Sequence, residues 1–191
     1  DTFELTNHLK HYKTDKMNKA IIAIDSFKGC LTSEEAGSAV MEGIKTIFPD
    51  CETLLFPIAD GGEGMLDILT SATKGKYRTL PAHGPLMELV PAGSGISGDG
   101  QTALIEMAAV SGLPLVPEDK RNPMLTTTYG TGELILDALE QGCRHFIVGI
   151  GGSATNDAGL GMLQALGFRF LDKRGNLLGT GGRIMSQVAS I

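Results

Sequence analysis

The sequence predicts an α/β protein that opens with a parallel sheet and changes pattern in its second part. Three observations carry this. From Ala20 to Thr73, short apolar runs alternate with segments of helical periodicity, the β-α-β-α order that favours a parallel sheet flanked by helices. From Lys76 onward strand-like runs follow one another directly. Glycine, 26 of 191 residues, gathers at the ends of apolar runs, where loops that approach a ligand closely begin.

Composition narrows the class. The 191 residues suffice for one sizeable domain or the start of a larger one, and 42% hydrophobic residues supply a core. The net charge is −6, from 16 Lys and Arg against 22 Asp and Glu, with no basic run, so nucleic acid is not an expected partner. No stretch reaches the roughly 18 apolar residues of a membrane span, and the polar start lacks the apolar core of a signal peptide. The three cysteines, Cys30, Cys51 and Cys143, fit neither a zinc pattern nor a disulfide framework, and a reducing cytoplasm is expected.

Residues 1–16 are polar and without period, and read as an extension. His8 and His11 within it read as solvated residues rather than a metal site. Ala20–Ile24 is nearly continuously apolar and predicts a strand buried on both faces. It ends in Asp25-Ser26-Phe27-Lys28-Gly29. Thr32 and Glu35 form a capping-box pattern at the head of a helix that buries Ala36, Val40, Ile44 and Ile47 and stops near Pro49. Glu52–Pro57 predicts a second strand. It runs into Ala59-Asp60-Gly61-Gly62-Glu63-Gly64 and then a helix from Met65 to Thr73. Lys76–Leu80, Leu89–Ser97 and Thr102–Met107 read as strands, with a hairpin signal at Asp99-Gly100. This change of pattern places a domain boundary near residue 82, dividing 17–82 from 83–191. Thr126-Thr127-Thr128-Tyr129-Gly130-Thr131-Gly132 leads into a helix with Leu134, Ile135, Ala138 and Leu139 on one face. His145–Val148 predicts a buried strand, Leu160, Leu163 and Leu166 a helix, and Phe168–Leu171 a last strand before a turn at Lys173-Arg174-Gly175-Asn176.

The densest chemistry lies between that buried strand and its helix, in Gly149-Ile150-Gly151-Gly152-Ser153-Ala154-Thr155-Asn156-Asp157. The glycines allow a tight turn, and the N–H groups opening the helix would favour an anion. Ser153, Thr155 and Asn156 add neutral polar groups, and Asp157 a carboxylate able to hold Mg²⁺. Asp25 could place Mg²⁺ or a substrate hydroxyl, or simply enter a helix. Lys28 could neutralise a phosphate or carboxylate, or be solvated. Asp60 and Glu63 flank two glycines, more than a solvated acidic loop needs. The threonines at 126–128 and Thr131 suit either oxyanion binding or polar loop packing, and His83 and His145 have no assignable role. Gly149-x-Gly151-x-x-Ala154 also matches a dinucleotide fingerprint, with Asp172 near the position of a ribose-binding acid. A carboxylate at that helix start would repel a pyrophosphate, so an NAD-dependent oxidoreductase is the lesser alternative.

Taken together, Asp25–Gly29, Ala59–Gly64, Ile105-Glu106-Met107-Ala108-Ala109, Gly130-Thr131-Gly132-Glu133-Leu134 and Gly149–Asp157 resemble the bacterial glycerate kinases in spelling and in order, from about Met17 onward. The resemblance implies ATP-dependent phosphorylation of D-glycerate with Mg²⁺, giving 2-phosphoglycerate. It also implies a flavodoxin-like domain begun by 17–82 and an inserted α/β domain with a mixed sheet in 83–191. Asp25, Lys28, Asp60 and Asp157 become the catalytic candidates, with Asp60 and Asp157 for the metal. Gly151, Gly152, Ser153, Thr155, Asn156 and Glu63 become the candidates for holding substrate or phosphate. Two positions depart from the family's pattern: Met65 stands in place of a usual Thr, and Ala158 in place of a frequent Gly. Members are roughly twice as long, so the chain reads as an N-terminal half. It is expected to be inactive alone, with a mobile N-terminal lobe or an oligomer that hides its exposed face, and with Asp25 and Asp60 not held against the 149–157 loop. The competing reading is a non-catalytic binding fragment. Replacing Asn156 or Asp157 by Ala is expected to remove turnover with little loss of stability.

Overall fold

The computed structural model describes residues 16–27 and 29–191. Lys28 and the pair His8 and His11 lie outside the described residues. By its internal contacts the chain divides into two compact units, one ending at Ile58 and the other spanning Ala59–Ile191.

In the first unit, β1 (Lys19–Ile22) pairs in parallel with β2 (Glu52–Leu55), Ile21 opposite Leu54, and helix α1 (Ser33–Ile47) connects them. The helix begins where the capping box predicts. Thr32 Oγ1 accepts from the Glu35 N–H at 3.1 Å, and the Glu35 carboxylate accepts from the Thr32 N–H at 2.8 Å. Two expectations fail here for one reason. Ile21 is 66% exposed, so β1 is not buried on both faces, and α1 buries Ser33, Ala36 and Gly37 while Val40 and Ile47 stay exposed. A two-stranded sheet carrying one helix has only one covered face.

The second unit is a four-stranded mixed sheet in the order β3 (Lys76–His83), β4 (Leu89–Ile96), β5 (Thr102–Glu106), β6 (His145–Gly149). The first three strands run antiparallel, and β6 runs parallel to β5 with Glu106 opposite Gly149. Helix α2 (Met65–Ala72) precedes the sheet. The short α3 (Ala108–Ser111) follows β5, α4 (Tyr129–Glu140) crosses to β6, and α5 (Leu160–Ala165) follows the glycine-rich loop. Strand β5 is buried on both faces. Ala103 and Ile105 pack into the core with Leu134 and Ala138 of α4, whereas Leu104 sits on the side of Leu66 and Thr70 of α2. Arg78 of β3 grips Asp137 of α4 through two bonds of 3.0 and 2.9 Å, fixing the helix across the sheet.

Two further expectations change. Strand β6 lies at the end of the sheet order and leaves Ile147 exposed, so it is not a fully buried strand. Phe168–Leu171 is not a strand. Leu171 makes only isolated bridges to Leu177 and Ser190, and the segment is held by the buried Phe170 ring instead. The predicted turn at 173–176 forms around Asp172, whose carboxylate accepts from the N–H groups of Arg174 and Asn176.

Candidate active site

The carboxyl ends of the parallel strands β5 and β6 carry the motifs, where α/β sheets place their ligands. The chain leaves β6 at Gly149 and turns through Gly151 and Gly152, the latter at φ +74°. A side chain at Gly151 would put its Cβ 2.8 Å from Gly62 Cα, so glycine is needed for the approach. This approach is how the acidic loop reaches the site. Residues 61–62 lie directly on 149–151, and the Gly151 N–H donates to the Gly61 carbonyl at 3.1 Å. The expectation that Asp60 would not be held against this loop is therefore corrected for its segment. Asp60 and Glu63 are exposed on it, and Asp60 accepts from the Gly62 N–H at 3.1 Å. Asp25 lies in the first unit, half-buried, accepting from the Ser26 N–H at 2.7 Å.

On its other side the glycine-rich loop is clamped by backbone and hydroxyl bonds. The Leu113 N–H donates to the Gly152 carbonyl, the Ala154 N–H to the Ser111 carbonyl, and Thr126 Oγ1 to the Ala154 carbonyl. Ser111 and Thr131 share a buried hydroxyl–hydroxyl bond of 2.9 Å. Thr126 and Thr127 thus prove to be packing residues, while Thr128 and Thr131 line a cleft.

Asp157 is the centre of this arrangement and is only 1% exposed. Its carboxylate accepts from the N–H and hydroxyl of Thr128 (2.8 and 3.0 Å), from Thr127 Oγ1 (3.3 Å), and from the N–H groups of Gly159 (3.0 Å) and Gly161 (3.2 Å). Thr128 Oγ1 in turn accepts from the Met162 N–H. The N–H groups at the head of α5, expected to await an anion, already serve the chain's own carboxylate and a threonine hydroxyl. The same bonds count against the dinucleotide alternative, because the N–H groups of Gly161 and Met162 that would face a pyrophosphate already have acceptors and Asp172 closes its own turn. Next to Asp157, Ala158 sits at φ +53°, a left-handed conformation that costs a residue with a Cβ. Ser153 and Asn156 are exposed, and Ser153 Oγ receives the Thr155 N–H at 3.0 Å.

Two residues without a predicted role belong to the same edge. Glu106, at the end of β5, accepts from the Leu66 N–H at 2.7 Å and so caps α2. Burial first, and then the nearby Asp67 and Glu63 carboxylates, raise its carboxyl above the ordinary range. His83 is bound through Nδ1 and its N–H to Glu133, at 2.8 and 2.6 Å, with its ring edge-on to Tyr129. Glu106 was visible in the sequence as a lone acid closing an apolar run. The His83 pairing has a separation of 50 residues and no local signal.

The chain is similar to known proteins. The model of the glycerate kinase family matches residues 20–191. The chain belongs to the glycerate kinase family. It is 56% identical to a glycerate kinase of Bacillus subtilis and 52% identical to a glycerate 2-kinase of Escherichia coli, each over 173 residues, which is 91% of this chain and 45% of each relative. A solved structure assigned as glycerate kinase 2 of Salmonella typhimurium LT2 superposes with a TM-score of 0.78 at 48% identity, covering 91% of this chain and 46% of that one. The chain thus spans about half the length of the relatives it matches.

Proposed function

We propose that this chain carries part of the active site of a cytoplasmic kinase that transfers the γ-phosphoryl group of ATP to D-glycerate, giving 2-phosphoglycerate. The observation that supports this most directly is the backbone contact between 61–62 and 149–151, which brings an acidic loop and a polar glycine-rich loop to one strand edge. Phosphoryl transfer demands positioning and charge neutralisation, and such an edge can supply both. Ser153 and Asn156 are the exposed hydrogen-bonding groups of the glycine-rich loop and would orient an oxyanion. Lys28 and Asp25 remain the candidates from the first unit. The division into a flavodoxin-like domain begun by 17–82 and an inserted domain in 83–191 belongs to the same proposal.

Mg²⁺ is commonly held by one or two carboxylates together with substrate phosphates. Among the described residues no cluster of three or more His, Cys, Asp or Glu could hold a metal by itself. Asp60 and Glu63, exposed on the acidic loop, fit the smaller requirement. Asp157 does not, because its oxygens are committed to donors of its own chain. When bound, Mg²⁺ would neutralise the phosphates of ATP.

The test is ADP formation dependent on D-glycerate, with phosphorus NMR of the product, in a full-length relative and its Asp60→Asn and Asn156→Ala variants. The proposal expects 2-phosphoglycerate from the parent and a strong loss in both variants. Parental rates in both would remove these loops from the reaction, and no glycerate-dependent ADP would remove the activity. The same assay on this chain alone tests the expectation that it is inactive.

A further inference from the structure

A second glycine-rich segment, Gly179-Thr180-Gly181-Gly182, runs behind the loop that carries Asn156. Gly182 is buried and opens a short 3₁₀-helix, Gly182–Gln187. A Cβ on Gly182 would stand 2.6 Å from the Asn156 carbonyl oxygen and 2.6 Å from that of Pro123. A carbon atom needs roughly 3.3 Å or more from an oxygen, so no side chain fits there without displacing backbone. Gly182 is not among the glycines at positive φ, so the position requires glycine for space and not for conformation. The two sides of the contact are held differently. On one side the Arg183 N–H donates to the Met124 carbonyl at 3.0 Å and Ile184 is buried, which ties 182–184 to 123–124. On the other, the loop is bonded before and after Asn156. The Ala154 carbonyl accepts from Thr126 Oγ1 at 2.7 Å, and the Asp157 carboxylate from Thr128, Gly159 and Gly161. Asn156 itself, with its side chain exposed, has no hydrogen bond to another described residue. Packing sets its place, and the backbone packed behind it is Gly182.

We infer that Gly182 is a positioning residue for Asn156. By carrying no side chain it lets the 149–157 loop settle back, and it fixes how far the Asn156 carboxamide stands out. The inference rests on the reading that Asn156 orients an oxyanion in the proposed reaction.

The test is a double-mutant cycle in a full-length relative with glycine and asparagine at the matching positions, joined to NMR of the Asn side-chain amides in this chain. A Cβ at 182 displaces the Asn156 carbonyl by several tenths of an ångström, and a misplacement of about 1 Å can cost roughly a hundredfold in rate. Gly182→Ala should therefore lower glycerate-dependent kcat/KM about tenfold. In an Asn156→Ala background the same substitution should cost less than about twofold, because the group it misplaces is gone. Gly179→Ala, at an exposed glycine with nothing within 4 Å of its Cβ, should leave the rate unchanged. In this chain Gly182→Ala should shift the Asn156 side-chain amide, and Gly179→Ala should not. If Gly182→Ala does not fold, Ile184→Val, which trims the buried anchor without a clash, carries the same cycle with a smaller effect. Equal losses with and without Asn156 would mean a general structural role and overturn the assignment, as would parental rates or an unmoved Asn156 amide. A parent that forms no glycerate-dependent ADP removes the kinase reading instead, and the amide shift still decides whether Gly182 places Asn156.

Discussion

The two units make different use of similar strands. Ala20-Ile21-Ile22 and Ala103-Leu104-Ile105 are both short apolar runs in strands with a parallel neighbour. In the second unit β5 has helices on both sides, and all three residues are at most 1% exposed. In the first, β1 leaves Ile21 66% exposed. The composition of a run therefore says that it can be buried on two faces. Whether it is buried depends on how many neighbours the rest of the chain supplies. Burial of apolar area is the main stabilising term, so the second unit should be much the more resistant to unfolding.

The largest expected effect tests that difference directly. The thiols of Cys51 and Cys143 are both fully buried, one in each unit, and both are free. Thiol labelling against urea should open Cys51 at a lower concentration than Cys143. Leu104→Ala should destabilise the second unit by about 2–5 kcal/mol and move the Cys143 midpoint accordingly. Ile21→Ala should move the Cys51 midpoint by less than about 1 kcal/mol, because most of that side chain is already in water. A single midpoint for both thiols, shifted alike by both substitutions, would show that the two units unfold as one.

Next in size is the removal of a polar hub. Asp157→Ala leaves the Thr127 and Thr128 hydroxyls and the N–H groups of Thr128, Gly159 and Gly161 without their acceptor. A loss of about 3 kcal/mol is expected, since bonds to a charged group are each worth roughly 1.5–3 kcal/mol and relaxation recovers part. This revises the sequence expectation that Asp157 could be removed with little loss of stability. Asn156→Ala, at an exposed position, should change stability by no more than about 0.5 kcal/mol. Equal Cys143 midpoints for the two variants would contradict the assigned role of Asp157.

These cases also show what was legible in the sequence. The capping box of α1 was, because Thr32 and Glu35 are three residues apart and the bonds they form are local. The hairpin at Asp99-Gly100 was legible for the same reason. The role of Asp157 was not. Its partners at Thr127 and Thr128 lie 30 and 29 residues away, and nothing local distinguishes a carboxylate facing a ligand from one facing its own chain. The seating of 61–62 on 149–151 was written only as glycines, whose meaning depends on what approaches them. Ala158 is intermediate. Its departure from a frequent glycine was visible, but the reason glycine suits the site, φ +53°, is a property of the fold. Ala158→Gly should accordingly stabilise the second unit by about 1 kcal/mol, read again at Cys143, and leave Cys51 unmoved.

The smallest effect concerns two glutamates that do the same work in different surroundings. Glu35 caps α1 in the first unit and Glu106 caps α2 in the second, each accepting a backbone N–H at a helix start. Glu35 is exposed, and the Thr32 N–H and hydroxyl bonds lower its carboxyl below the ordinary 4.5. Glu106 is half-buried, and desolvation, with Asp67 and Glu63 nearby, raises its carboxyl despite the Leu66 N–H. The signs of the pH dependence must then be opposite. A lowered folded value means that the contribution of Glu35 is present above its unfolded value and fades as pH falls through the folded one. A raised folded value means that the contribution of Glu106 is complete below about pH 4.5 and fades as pH rises through the folded value. Comparing parent with Glu35→Gln at Cys51, and parent with Glu106→Gln at Cys143, isolates each carboxyl from the other titrating groups. The parent's advantage over Glu35→Gln should grow with rising pH. Its advantage over Glu106→Gln should shrink, because Gln keeps an acceptor for the Leu66 N–H without the charge that burial penalises. Parallel slopes for the two pairs would mean that Glu106 is solvated as Glu35 is, and that the end of β5 is not the desolvated edge on which the site is built.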